Sequence, residues 1–318
     1  MKHLVRKYIE DGFEVIELKN SYLTARIAVN IGNTLFGLES EGNQMLYFPF
    51  SLKEYAINTK LAGNPFMYPW ANRLEGDYIT LPEQLHPFPS TLSHLLYRDV
   101  NHLPLHGLLL KSNHWKTIAL LEEEGTCMHL AELEFNHPSW LSIFPFRHRI
   151  QMRHLLCNNV LTVETKVINE DTNSMPVSFG FHPYLLVDQQ NREHSRLHMP
   201  AKVVIETNQL QIPNGVLLPK EERWNFKEDE IGLQGEVFDD CFTDLSHDTG
   251  YSILQLNDLS ILMDINYPYV QVYAPNHKDK PYVCIEPMSA PANGMNTASC
   301  KYILPKGYYS ATFKFMAL

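Results

Sequence analysis

An all-β architecture of packed antiparallel sheets is the fold class this sequence predicts, and three observations predict it. Apolar and polar residues alternate with period two in one segment after another. Successive alternating segments are joined by short Asn- and Asp-containing stretches, the chemistry that lets a strand turn back on its neighbour. Long segments of 3.6-residue period flanked by caps are nearly absent.

In chain order, TARIAVNI (24–31) reads as a strand, and SLKEYAIN (51–58) is the best short helix candidate. The Pro- and Leu-rich stretch 81–106 alternates weakly and carries many histidines, so it reads as a long loop over the sheet, of the kind that belongs to a site. HRIQMRHLL (148–156) and VLTVETKVI (160–168), separated by Cys157-Asn158-Asn159, predict a hairpin. YSILQL (251–256) and LSILMDI (259–265), separated by Asn257-Asp258, predict another, and YVQVYAP (269–275) comes next. No low-complexity linker or obvious repeat divides the chain, so a single domain over 1–318 is expected.

Of the 318 residues 44% are hydrophobic and 19% charged, enough apolar mass for a large core in a soluble protein. The net charge of -10, with no basic run, argues against nucleic acid and against an anionic membrane surface as partners. No apolar stretch approaches spanning length and no signal peptide is seen in the opening residues. The 5 cysteines are odd in number, widely spaced and free of any CxxC pair, which fits reduced thiols in a cytoplasmic protein and speaks against zinc held by cysteine.

Four polar clusters interrupt apolar, aromatic surroundings. In NPFMYPWANRLEGDYI (64–79), Arg73 follows Trp70 and Asn72; a five-donor guanidinium there suits a pocket that grips oxygens, the alternative being an exposed arginine on a turn. In LPLHGLLLKSNHW (103–115), His106 precedes Gly107. His102 and His106 have the spacing of two metal ligands on a helix, but Pro104 between them makes a helix improbable. In SFGFHPYLLV (178–187), His182 sits in an aromatic run, where lone histidines are usually structural. In KPYVCIEPMSAPANGMN (280–296), Glu286 ends an apolar run, where partial burial would raise its pKa toward that of a useful general base. GxGxxG, P-loop and HExxH motifs are absent, and no cofactor or metal is expected, a site of His106, His182 and Glu286 being the formal alternative.

ANRL with Arg73, LHG with His106 followed by a Trp, FHPY with His182 and CIEP with Glu286 stand in the order and spacing of the aldose 1-epimerase (galactose mutarotase) family, which this chain resembles over residues 10–315. FPFRHRIQMRHLLCNNVLTVETKVIN (144–169) and VFDDCF (237–242) are similar to further family segments, the second pointing to Asp239, with Asp240 as the neighbour a one-residue slip would choose. The resemblance implies a large antiparallel β-sandwich, the galactose mutarotase-like supersandwich, acting on a monosaccharide without a cofactor. It implies His182 as general acid and Glu286 as general base, with Arg73, His106 and Asp239 holding the sugar and Asn72 as a further contact. Trp70 and Tyr184 are candidates to stack on the sugar ring, although aromatic side chains at such positions are more often core.

Departures from the family mark a divergent member. Leu108, Leu109 and Leu110 stand where hexose-6-phosphate epimerases carry an arginine, which weakens the case for a phosphorylated sugar and leaves Lys111 as the cation that could replace it. Gly180 and Phe181 precede the histidine, and Leu185 follows Tyr184, where other residues are usual in the family. The expected activity is therefore interconversion of the anomers of a hexose. A non-catalytic sugar-binding protein, a hexose-6-phosphate epimerase and a glycoside hydrolase built on Glu286 and Asp239 are the alternatives.

Overall fold

Period-two alternation becomes two large antiparallel sheets in the computed structural model, which describes residues 4–82, 84–188, 192–247, 249–297 and 299–318. The first, of nine strands, runs Glu230–Gly232, Arg196–His198, Ser252–Leu256, Leu259–Met263, Tyr308–Ala317, Val160–Asn169, His148–Cys157, Thr126–Phe135 and Lys116–Glu123. The second, of eight, runs Pro213–Pro219, Ala201–Thr207, Phe238–Leu245, Tyr269–Ala274, Tyr282–Met288, Gly180–Phe181 and Phe66–Met67, with Tyr184–Leu186 also paired to Tyr282–Met288. An N-terminal meander of five strands, Leu4–Glu10 through Asn43–Gln44, forms a further sheet.

Both expected hairpins form, with residue pairs Cys157↔Val160 and Leu256↔Leu259 closing them. Asn158 and Asn257 take φ of 52° at these turns, a left-handed conformation that asparagine tolerates better than most residues. The expected helix also forms, as Leu52–Ile57. Ser51 Oγ accepts from the Glu54 N–H at 3.2 Å while the Glu54 carboxylate accepts from the Ser51 N–H at 2.9 Å, a reciprocal cap.

The stretch 81–106, expected as a long loop over the sheet, contains short regular elements. Its start pairs Gln84–Pro87 with Tyr78–Leu81, and Ser90–Leu95 winds into a 3-10 helix. The remainder of the stretch is pinned by Arg98, which donates to both Asp77 carboxylate oxygens at 2.8 Å and to the His102 carbonyl at 2.7 Å. These partners lie outside any period a local reading could detect.

The two large sheets pack face to face. Phe181 of the eight-stranded sheet meets Phe313 of the nine-stranded one at 4.8 Å between ring centroids, and Tyr267 meets the same ring at 6.0 Å. Each such fully buried ring contributes on the order of 2 kcal/mol. One continuous core cluster draws residues from Ile16 to Ala317. The strand Tyr282–Met288 is buried on both faces. Val283 and Ile285 enter the core between the sheets, while Tyr282, Cys284 and Met288 join a second apolar cluster on the opposite face. That second face carries Glu286. All five cysteines are free thiols, and among the described residues no helix is long and apolar enough to cross a membrane.

Candidate active site

Strand register builds the floor of the site. Glu286 is paired with Gln271, and one step along the same three strands Asp239 is paired with Tyr273 and Tyr273 with Cys284. On the other side of Glu286, Gly180 faces Met288 and Tyr184 faces Cys284, so the residues midway between them, His182 and Glu286, come opposite one another. Their side chains meet, Nε2 to Oε1, at 3.2 Å. Gly180 makes the approach possible, because a Cβ there would lie 2.5 Å from the Pro287 carbonyl oxygen. Phe181, next in the chain, turns into the core.

The wall is made by two segments locked together. The His106 N–H donates to the Asn72 carbonyl at 2.9 Å, and the N–H groups of Leu108 and Leu109 both donate to the Tyr68 carbonyl, at 2.6 and 3.2 Å. Asn72 and His106 are held at φ of 56° and 60°. Gly107, at φ 75°, admits no side chain, since a Cβ would stand 2.1 Å from the Tyr68 oxygen. This closure sets the His106 ring edge-on to His182 at 5.1 Å. Arg73 is fixed at two nitrogens: Nε donates to Asp99 at 2.8 Å and Nη1 to the Asn72 side-chain oxygen at 3.0 Å.

Burial decides the charge of this cluster. Glu286 is 2% exposed and its carboxyl is pushed well above the ordinary range, first by desolvation and then by the Asp239 charge, with Arg73 opposing. His182 is pulled down to about 3 by desolvation, a backbone hydrogen bond opposing and Arg73 adding to the shift. His106 is likewise held well below its usual value, by desolvation, then His182, then Arg73. Both shifts favour the neutral pair, a carboxylic acid beside a neutral imidazole. A single contact at 3.2 Å to the Glu286 carboxyl does not offset this loss of water. Glu286 Oε2 and the Nδ1 atoms of His106 and His182 are buried without a hydrogen-bond partner among the described residues, so the cluster retains unused hydrogen-bonding capacity.

All six residues expected to act, Asn72, Arg73, His106, His182, Asp239 and Glu286, line one cavity of about 700 Å³. Asp239 is the carboxylate that faces it, accepting from Gln271 at 2.8 Å; Asp240 points to the other side of the strand and pairs with Arg223 at 3.3 Å. Tyr184 lines the cavity and stacks on His182 at 4.6 Å. Trp70 does not: it is 1% exposed and stacked on Phe88 in the core. Lys111 does not replace the missing arginine. Its ammonium donates to the carbonyls of Tyr55, Asn58 and Lys60 at 2.6, 2.5 and 3.0 Å, closing the end of the short helix. His102 is exposed, and among the described residues no group of three or more His, Cys, Asp and Glu side chains is placed to hold a metal ion.

Asp99 and Gln271 also line the cavity and were not singled out from the sequence. Gln271 had a readable signal. In YVQVYAP it shares a face with Tyr269 and Tyr273, while Val270 and Val272 enter the core, so it is the amide on a face that is otherwise aromatic. Asp99 had only its place in the segment expected to cover a site.

The model of the Aldose 1-epimerase family matches residues 14–301. The uncharacterized protein YihR of Escherichia coli (strain K12) is 24% identical over 243 residues, 76% of this chain and 74% of its own. A galactose mutarotase-like protein from Clostridium acetobutylicum superposes with a TM-score of 0.84 at 17% identity over 99% of this chain and 98% of its own. Galactose 1-epimerase from Lactobacillus acidophilus NCFM does so with a TM-score of 0.77 at 17% identity over 99% and 98%. At these identities the solved structures show a shared galactose mutarotase-like fold. With nearly its whole length matched by the family model, the chain belongs to the aldose 1-epimerase family.

Proposed function

We propose that this protein, a single domain over 1–318, is an aldose 1-epimerase that interconverts the α and β anomers of a free hexose by acid–base ring opening. The observation that carries the reading is the buried His182–Glu286 contact of 3.2 Å at the floor of a cavity whose wall presents Arg73, His106, Asn72 and Asp239. Opening a cyclic hemiacetal requires a proton to leave the C1 hydroxyl and another to reach the ring oxygen. Glu286 takes the first and His182 gives the second, each contributing about 10²- to 10⁴-fold.

The pair holds one proton throughout. Its charge-separated form, carboxylate beside imidazolium, opens the ring and leaves the neutral form, carboxylic acid beside imidazole; after rotation about the C1–C2 bond the reverse transfer closes the ring. Burial favours the neutral form at rest. A bound sugar shifts the balance, because its C1 hydroxyl donates to the Glu286 carboxylate and its ring oxygen accepts from the imidazolium. No step requires a cofactor.

A glycoside hydrolase built on Glu286 and Asp239 leaves His182 without a role although its Nε2 lies 3.2 Å from Glu286 Oε1. The five free thiols support a reducing, cytoplasmic setting. The test is anomer exchange by NMR on free aldoses: acceleration abolished by both Glu286→Gln and His182→Asn in folded protein supports the assignment. Binding without acceleration for every aldose would leave a sugar-binding protein instead.

A further inference from the structure

The two arginines that line the cavity, Arg73 and Arg98, are each committed to an acid. Arg73 is bound through Nε to Asp99 at 2.8 Å, with side-chain exposures of 16% and 4%. Arg98, on the rim, presents both terminal nitrogens to Asp77 at 2.8 Å and adds Ser93 Oγ at 2.9 Å. Asp99 is itself rigid: its Oδ1 accepts from the N–H groups of Asn101 and Leu103, each at 2.9 Å, which closes the turn that forms the rim. Lys280 stands behind Tyr273 and donates to its hydroxyl at 3.0 Å. Asp239 and Glu286, the other acids among the described lining residues, add no positive charge. The wall therefore offers hydrogen-bond donors without an unbalanced positive charge.

We propose that Asp99 determines the substrate class of this site: by neutralising and steering Arg73 it restricts the cavity to uncharged aldoses and disfavours their phosphate esters. The inference rests on the mutarotase reading above. A sugar hydroxyl needs only the oriented donors that remain on Nη1 and Nη2, and gains from their fixed direction. A phosphate dianion needs net positive charge to offset its desolvation, and meets a wall in which Asp99 and Asp77 have already cancelled both guanidinium groups. Replacing Asp99 by Asn keeps an oxygen for the two turn N–H groups, removes the negative charge and frees Arg73 Nε.

The experiment measures kcat/KM for anomer exchange of glucose and galactose and of their 6-phosphates, in wild-type protein, D99N, D99E and D77N, with folding checked by circular dichroism and thermal melts. Wild-type protein prefers the free sugars, D99N shifts the ratio of phosphorylated to free substrate upward by about tenfold, and D77N shifts it in the same direction by less. D99E, which keeps the charge, retains the wild-type ratio. Should D99N not fold, D99S, which keeps an oxygen for the turn N–H groups without the charge, carries the test. An unchanged ratio in the folded variants, or a wild-type preference for the 6-phosphates, overturns the inference. If wild-type protein accelerates none of the four sugars, the mutarotase reading fails first and this one with it.

Discussion

Glu286→Gln tests both the chemistry and the electrostatics of the site. The substitution keeps the shape of the carboxylic acid form, and the new amide N–H can donate across the same 3.2 Å to His182 Nε2, so the fold is preserved. It cannot accept the C1 proton. Anomer exchange should fall by about 10²- to 10⁴-fold, the usual contribution of a positioned base. The stability consequence has a definite sign. The folded carboxyl binds its proton more tightly than the unfolded one, whose value is near 4.5, so its contribution is full below that pH and is lost as pH rises toward the folded value. Each unit of upward shift corresponds to about 1.4 kcal/mol. Urea unfolding from acid to alkaline pH should therefore show the variant gaining on wild type above pH 4.5, the gap levelling where the folded carboxyl ionises. A gap that does not change with pH would refute the buried-carboxyl argument. Activity within about tenfold of wild type would refute the base assignment.

His182→Asn should lower kcat by about 10²- to 10⁴-fold with a small change in KM, read from saturation kinetics, because the acid is lost while the sugar-holding wall stays. Asp239→Asn should raise KM by about tenfold and leave the melting temperature close to wild type, whereas Asp240→Asn, on the opposite side of the strand, should leave KM unchanged; titration calorimetry with the preferred sugar distinguishes them. Gly107→Ala forces a Cβ to within 2.1 Å of the Tyr68 oxygen at a φ of 75°, and should cost about 2 kcal/mol or more in urea unfolding while weakening catalysis through displaced His106.

Which parts of this molecule could be read in advance depends on how far apart the interacting residues lie. The hairpin His148–Cys157 with Val160–Asn169 was legible because alternation and its Asn turn are local, and a face buried between sheets enforces period two directly. The course of residues 81–106 was not, because Arg98 reaches back to Asp77 and Asp99 to Arg73, contacts that leave no periodic trace. Four of the six site residues, Arg73, His106, His182 and Glu286, stood out as polar groups in apolar surroundings, and Asn72 and Asp239 entered through the family resemblance. Gln271 carried a local signal as the amide on an aromatic face, but an amide between valines is ordinary on a strand, and it is register that places it beside Glu286. The charge state of His182 lay furthest from view: a histidine next to a glutamate suggests an ion pair, and only the depth of both side chains, 6% and 2% exposed, turns the pair toward its neutral form. The same burial that hides the proton from a sequence reading favours the neutral pair until a sugar supplies partners for the charge-separated one, and a pair that must both donate and accept within one catalytic cycle needs that exchange more than it needs a permanent charge.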